Sequence, residues 1–329
     1  MIEKRVLKDL QGQILALIDL QTSLLEQMRD SAVLHDSDDL QNAQNGDNHS
    51  INEFVKPFSP EDIAQKLAVL AENRLKTENL ETVLAVVGTM KAGKSTTINA
   101  IVGREILPNR NRPMTALPTL IEHKPGQQTP VLRFVKSRPM QDLIEKLEEK
   151  ANSYRPEELH ARLDGDKHLQ EALFNLYRTR TIDETYEGEE GIFHFLAWLN
   201  DLVRLSAALH VPFPFEAYTR MDDFPRIEVE FFHLRNQAKM EQGKFIILDT
   251  PGFNEAGQSQ HLLPMMKEQL RKASAVLAVL DYTQLKSESE KDLRDQLNEI
   301  ASQANADERG QDVSVGAQHG LIFAFVFPL

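Results

Sequence analysis

The chain contains no cysteine. That excludes disulfides, thiolate zinc sites and cysteine nucleophiles, and it fits a reducing compartment. Positive charge is also short: 37 Lys and Arg stand against 50 Asp and Glu, leaving a net charge of -13. This balance disfavours broad electrostatic binding to nucleic acid or to an anionic membrane surface. Long apolar runs are scarce as well. By inspection no run approaches the ~20 apolar residues of a membrane helix. The opening "MIEKRVLKDLQGQILALIDLQ" mixes charged and apolar residues where a signal peptide would be continuously apolar. The expectation is a soluble, cytoplasmic protein without a transmembrane segment.

What is present is enough for a sizeable core, since 41% of 329 residues are apolar. Residues 1–30 read as an amphipathic helix, with Val6, Leu10, Ile14, Leu17, Leu24 and Met28 at helical spacing. Its apolar stripe needs a partner to be stable. Residues 31–57, with "HDSDDLQNAQNGDNHS", read as a flexible linker. A second helix spans 58–79. Ser59 and Pro60 suit its N-cap and first position, and Glu61 and Asp62 suit its first turn.

The pattern then changes. "ETVLAVVG" is a short apolar run closed by glycine, as in a buried parallel strand. Further strands are expected at 119–123, 130–136, 226–234, 244–249 and 274–282. Between 137 and 220 the pattern is mainly helical and reads as an insertion. The expected fold class is α/β over 80–314, with the helical insertion at 137–220, the N-terminal helices and an atypical apolar tail at 315–329.

The chemistry sits in "GTMKAGKSTT". Gly88, Gly93, Lys94 and Ser95 satisfy GxxxxGK[ST] between an expected strand and an expected helix. Glycines allow a tight loop whose amides point inward at phosphate, and the helix N-terminus adds a favourable field. Lys94 reaches the terminal phosphates, and the Ser95 hydroxyl suits magnesium. Met90, Lys91, Ala92 and Thr96 complete the expected nucleotide contacts. A second piece, "FIILDTPGFNEAG", puts Asp249 at the end of an apolar strand. Asp249 suits a water-mediated magnesium contact, and the Gly252 amide suits sensing of the terminal phosphate. Between them, Thr115 is a candidate second magnesium ligand or a plain turn residue. Arg110 and Arg112 either approach phosphate charge or solvate the loop.

These motifs together resemble the large GTPases of the dynamin family, which implies an α/β P-loop GTPase domain over 80–314, incomplete on its C-terminal side. "GTMKAGKSTTINAIVG", "LPNRNRPMTALPT", "ILDTPGFNEAG" and "SAVLAVLDYTQLKS" carry the likeness over about residues 80–300. Within the family they resemble a bacterial branch linked to the replication machinery and to nucleoid positioning. The resemblance implies GTP and Mg2+ as ligands, hydrolysis by in-line water attack, and catalytic roles for Lys94 and Thr115. It also implies self-association through the GTPase domain in full-length relatives, and a nucleoid- or replisome-associated location. Better-studied members carry glutamine and serine where this chain has Met90 and Lys91. Methionine cannot orient water by a useful hydrogen bond. Lys91 is therefore the candidate source of compensating positive charge.

One expected part is missing. Guanine is read in this superfamily by an [NT]KxD motif, whose aspartate accepts hydrogen bonds that adenine cannot supply. No such motif follows Asp249; the chain reads "DERGQDVSVGAQHGLIFAFVFPL". Two readings stay open: a truncated or frame-shifted chain, which is the working expectation, and a compact variant that senses adenine or phosphate. "LIFAFVF" is a β-prone run that invites aggregation unless it pairs into the sheet, where it would stand in for the absent strand. Near the N-terminus, "QTSLL" loosely resembles glutamine-leucine peptides that dock on a bacterial sliding clamp, making Gln21 and Leu24 candidate contacts. The competing reading places Leu24 in a helix-packing stripe. A catalytically weak scaffold that binds a partner through the N-terminal helices is the alternative function.

Overall fold

The computed structural model describes residues 2–38, 59–89, 91–107, 117–163, 166–179, 181–237, 243–252, 259–281, 287–309 and 321–327. The chain divides into two units, 1–81 and 82–329.

The first unit is a helical pair. Helix α1 covers Ile2–Asp38 and α2 covers Pro60–Asn79. The expected boundary at residue 30 falls short of the end of α1, because "SAVLHDSD" contains no glycine or proline to stop a helix. Ser59 caps α2 by accepting from the Asp62 amide at 3.2 Å, and Leu80 ends it at a left-handed φ of 48°. Gln11 donates through Nε2 to Thr77 O at 2.8 Å, and Asp19 pairs with Arg74, so the helices run in opposite directions. Of the stripe expected from the sequence, Met28 is half-buried and four other positions are exposed, so most of the packing face lies elsewhere. Ile18 is buried, with Gln11, Leu15, Thr22 and Leu25 half-buried beside it. Leu10, Ile14, Leu17 and Leu24 lie about one residue round the helix and stay exposed. Leu24 itself is 56% exposed, outside the packed face of α1 among the described residues.

The second unit is built on an eight-stranded sheet. Its strands are β1 (Thr82–Val87), β2 (Thr119–His123), β3 (Val131–Arg133), β4 (Thr185–Glu187), β5 (Arg226–Val229), β6 (Phe245–Asp249), β7 (Ala275–Asp281) and β8 (Leu321–Phe327). Their order is β4-β3-β5-β2-β6-β1-β7-β8. β6, β1, β7 and β8 are mutually parallel, while β2 runs antiparallel to β6 and parallel to β5. The apolar runs of β1 and β6 are buried on both faces, as central parallel strands require. Helix α3 (Lys94–Val102) follows β1.

The helical insertion comprises α4 (Arg138–Asn152), α5 (Pro156–Arg162), α6 (Lys167–Arg178) and α7 (Gly188–Leu209). Two features went beyond the sequence pattern. The three-residue β4 interrupts the helices and adds to β3 at the sheet edge. And α7 is long and apolar enough to cross a membrane, with a mean hydropathy of 1.2, contrary to the inspection by eye. Of its most apolar stretch 61% is buried within the protein, so it is a core helix here. An aromatic cluster ties it to the sheet: Tyr186 stacks on Phe195 at 4.3 Å, Phe195 meets Phe134 at 5.6 Å, and Phe134 stacks on Tyr218 at 5.8 Å. The buried Tyr218 hydroxyl donates to Lys136 O at 3.0 Å, and burial raises its pKa.

Other expected strands are shorter than their apolar runs. The run 226–234 ends as a strand at Val229 and continues as a 3-10 helix over Phe232–Gln237. Helices α8 (Ser259–Lys272) and α9 (Glu288–Arg309) flank β7 in the chain. The apolar tail does pair into the sheet: β8 lies parallel to β7 over seven registered positions, from Ala275 with Leu321 to Asp281 with Phe327. Backbone groups along one side of β7 are thereby paired rather than left as an edge. Deleting residues 320–329 should expose that edge, lowering the thermal midpoint and the soluble fraction. Unchanged melting and solubility would show that β7 does not depend on β8.

Candidate functional site

Parallel strands end on the same side of a sheet, and ligands of open α/β sheets bind beyond those carboxyl ends. β1 and β6 are paired in register, Val86 opposite Asp249, so the loops after both strands leave from one point. Thr119, the first residue of the antiparallel β2, sits opposite Asp249 on its other side. The Thr250 hydroxyl donates to Val86 O at 2.9 Å in a fully buried setting, stapling the end of β6 to the end of β1.

The loop leaving β1 is shaped by backbone conformation. A Cβ on Gly88 would lie 2.4 Å from Val279 O, so only glycine lets the loop pass this close to β7. Lys91 and Gly93 both take positive φ, 66° and 95°. Such alternation turns successive amides toward one side, the concavity that anions occupy. Lysine is rare in that region of φ, where the left-handed conformation costs roughly 1–2 kcal/mol. From the first turn of α3, Lys94 folds back and donates through Nζ to Gly88 O at 2.9 Å and Thr89 O at 3.1 Å. Its ammonium is thus held over the loop. Thr97 anchors the turn by donating through Oγ1 to Gly93 O at 3.0 Å.

Ser95 is half-buried in the first turn of α3, Ala92 is buried and Thr96 is exposed. Asp249 is 2% exposed, and Pro251 and Gly252 after it are buried. The structure therefore brings Gly88, Lys91, Ala92 and Gly93 of the loop after β1, Lys94, Ser95 and Thr96 of the first turn of α3, Asp249 at the end of β6 and Gly252 just beyond it to one sheet end. Met90, Thr115, Arg110 and Arg112 lie outside the described residues. Gln21 and Leu24 belong to the helical pair and are both exposed on α1.

The donor set suits a hard cation bound with phosphate. Magnesium takes oxygen ligands and usually only one or two from the protein, the rest coming from phosphate and water. Ser95 and Asp249 offer a hydroxyl and a carboxylate on neighbouring loops. No group of three or more His, Asp or Glu among the described residues forms a metal cage of its own. Sequence reading missed Thr250, whose neighbour Asp249 drew the attention, and Asn99, a polar residue on the buried face of α3. The only signal for Asn99 was its place in the apolar run "INAIV".

Residues 84–303 match the sequence profile of the dynamin family. The chain belongs to the dynamin family. It is 51% identical over 243 residues to the clamp-binding protein CrfC of Escherichia coli, both in strain K12 and in a second record of the species. That alignment covers 74% of this chain and 32% of the relative, so the chain spans about a third of the length of the curated relatives it matches. Two solved structures of an oligomerised bacterial dynamin pair align with all of this chain and 39% of theirs, at 15% identity and a TM-score of 0.39.

The Thr250 bond is testable without any ligand. Thr250→Val keeps the shape and removes the donor to a buried carbonyl, so unfolding free energy should fall by about 1–3 kcal/mol. Thr250→Ser should retain most of it. Equal denaturation midpoints for wild type and Thr250→Val would show that the staple contributes nothing.

Proposed function

We propose that this chain binds GTP with Mg2+ and hydrolyses it, as a dynamin-like GTPase. The observation that carries the reading is the Lys94 ammonium held over the Gly88–Thr89 backbone, beside a strand pair that ends in Asp249. In this reading the amides of the Gly88–Lys94 loop cradle the phosphates, and Lys94 Nζ exchanges its two carbonyl partners for terminal phosphate oxygens. Ser95 and Thr115 would hold Mg2+ through their hydroxyls, and Asp249 would hold it through water. When bound, magnesium supplies charge that stabilises the phosphoryl oxygens. The Gly252 amide lies on the loop proposed to report the terminal phosphate. Lys91 is the proposed source of further positive charge toward the leaving group, a role consistent with its place in the loop.

β8 occupies the position beside β7, and "LIFAFVF" carries no NKxD aspartate. Guanine preference therefore rests on family membership, and an adenine- or phosphate-sensing variant is distinguished by competition between ATP and GTP.

Family membership also supports self-association through the GTPase domain and a cytoplasmic, nucleoid- or replisome-associated location. Clamp contact is proposed from the relative's name and from the exposure of Gln21 and Leu24. That turn of α1 is helical, so seating an extended peptide requires it to unwind. A second reading is favoured by the exposed stripe Leu10, Ile14, Leu17 and Leu24: a scaffold that binds a partner through α1 and hydrolyses nucleotide weakly or not at all.

Isothermal titration with GTP and Mg2+, together with phosphate release, separates these readings. Wild type should bind and turn over GTP, and Lys94→Ala should reduce affinity by at least about tenfold by removing a charged phosphate contact. Absence of binding in wild type would defeat the enzyme reading and leave the scaffold. Lys91→Glu should slow hydrolysis, and an unchanged rate would remove Lys91 from the mechanism. Sliding-clamp pull-down should be lost in a Gln21→Ala, Leu24→Ala double variant, and retention would dispose of that docking idea.

A further inference from the structure

Helix α1 carries two separate faces. One meets α2, through Gln11, Leu15, Ile18, Thr22 and Leu25. The other is the stripe beside it, in which Leu10, Ile14, Leu17, Gln21 and Leu24 are exposed and Met28 is half-buried. From the turn of the α-helix, the two faces lie about a quarter-turn apart.

The second face has the register of a coiled coil. Its six positions alternate at spacings of four and three, the a/d seam of a heptad repeat. Leu10, Leu17 and Leu24 fill the d positions, and Ile14, Gln21 and Met28 fill the a positions. Isoleucine at a with leucine at d favours two parallel strands, and a single polar residue at a fixes their register. Charge follows the same pattern. Lys8, Asp9, Asp19, Glu26, Arg29 and Asp30 all fall at b, c or f, away from the seam. The flanking positions are Gln11, Ile18 and Leu25 at e, and Gln13, Leu20 and Gln27 at g. A chain of net charge -13 thus presents one uncharged strip, on which two copies meet without like-charge repulsion.

We propose that the occupant of this seam is α1 of a second copy of the chain, parallel and in register. Gln21 then faces its own counterpart, and each amide offers the donor and the acceptor that the other needs. A slip of one heptad, or an unrelated apolar helix, would bury Gln21 against an apolar side chain and leave its amide unpaired. Each α1 touches α2 on one face and its counterpart on the other, so two helical pairs form a four-helix bundle about a two-fold axis. The seam from Leu10 to Met28 is only about 27 Å long, but α2 already holds α1 as a helix, so pairing does not have to order it. The proposal names a partner for the exposed stripe of the scaffold reading, and it holds whether or not nucleotide is hydrolysed. Gln21 and Leu24 lie inside the seam, so pairing and clamp docking exclude each other.

The test uses the whole chain without nucleotide. Sedimentation equilibrium of wild type at micromolar concentration should give a dimer. Leu17→Glu puts a charge into the seam at an exposed position, so it should keep the circular dichroism spectrum and weaken the dimer by at least about tenfold. Because the chain has no cysteine, one introduced thiol reports the geometry. Gln21→Cys should cross-link to its own copy under mild oxidation, and Ser23→Cys, at an outward c position, should not. A monomeric wild type overturns the proposal. So does a dimer that survives Leu17→Glu, since its contact lies elsewhere, and so does cross-linking of Ser23→Cys as fast as Gln21→Cys. If Leu17→Glu loses its helical signal, the two thiol variants decide. The scaffold reading is judged separately, by GTP turnover, so its failure and the failure of this pairing are told apart.

Discussion

The pairing of β1 with β6 is the constraint on which the rest of the second unit depends. Val86 stands opposite Asp249, and the Thr250 hydroxyl reaches back to Val86 O. Because the strands are parallel, the loop that begins at Gly88 and the loop that begins at Thr250 emerge side by side. Side chains alternate along a strand, so a slip of one residue would turn Asp249 to the opposite face. The neighbouring strands hold this register from both sides. β7 passes beneath Gly88, so closely that no side chain fits there. β2 enters antiparallel with Thr119 beside Asp249. The site is therefore a property of four adjacent strands, and its two loops are consequences of where those strands stop.

Away from that end, the sheet absorbs a large helical insertion without disturbing the central register. The insertion leaves from the β3 side and returns to it, and the brief β4 pairs only with β3 at the outer edge. The contacting rings of Tyr186, Phe195, Phe134 and Tyr218 give α7 a partner surface. This explains how a helix with the composition of a membrane span is satisfied inside a folded domain: its apolar faces meet other helices and the sheet. Composition sets how much apolar surface must be hidden, and packing decides what hides it.

Much of the sheet end that carries Gly88 and Asp249 was legible in the sequence because its signals are local. GxxxxGKS fixes a glycine-permitted loop before a helix, and "FIILDTPG" marks a buried strand closing on a carboxylate. The bounds of β2 followed from a short β-branched run before His123. Elsewhere local signals misled. The stripe Leu10, Ile14, Leu17, Leu24 has good helical spacing, but α1 packs through Gln11, Leu15, Ile18, Thr22, Leu25 and Met28, with two of those six positions polar. Spacing names a face and cannot say which face meets a neighbour. β4 was hidden because three residues are too few to show a period of two. Asn99 was hidden because its hydrogen-bond partners Ile106 and Leu107 lie seven and eight residues on, across a turn that no pattern displays.

By itself the sequence determined the local chemistry: which backbone could turn at Gly88 and Gly93, which charge could be offered by Lys94 and Asp249, and which family the chain resembles. Those are properties of residue type and short spacing, and they survive whatever surrounds them. Only the tertiary structure decided that β8 lies parallel to β7, that α7 is interior, and that Asn99 spans from α3 to Leu107. Each of these joins segments through burial and hydrogen bonding across space, and burial is a relation between segments that no single segment carries in its own sequence.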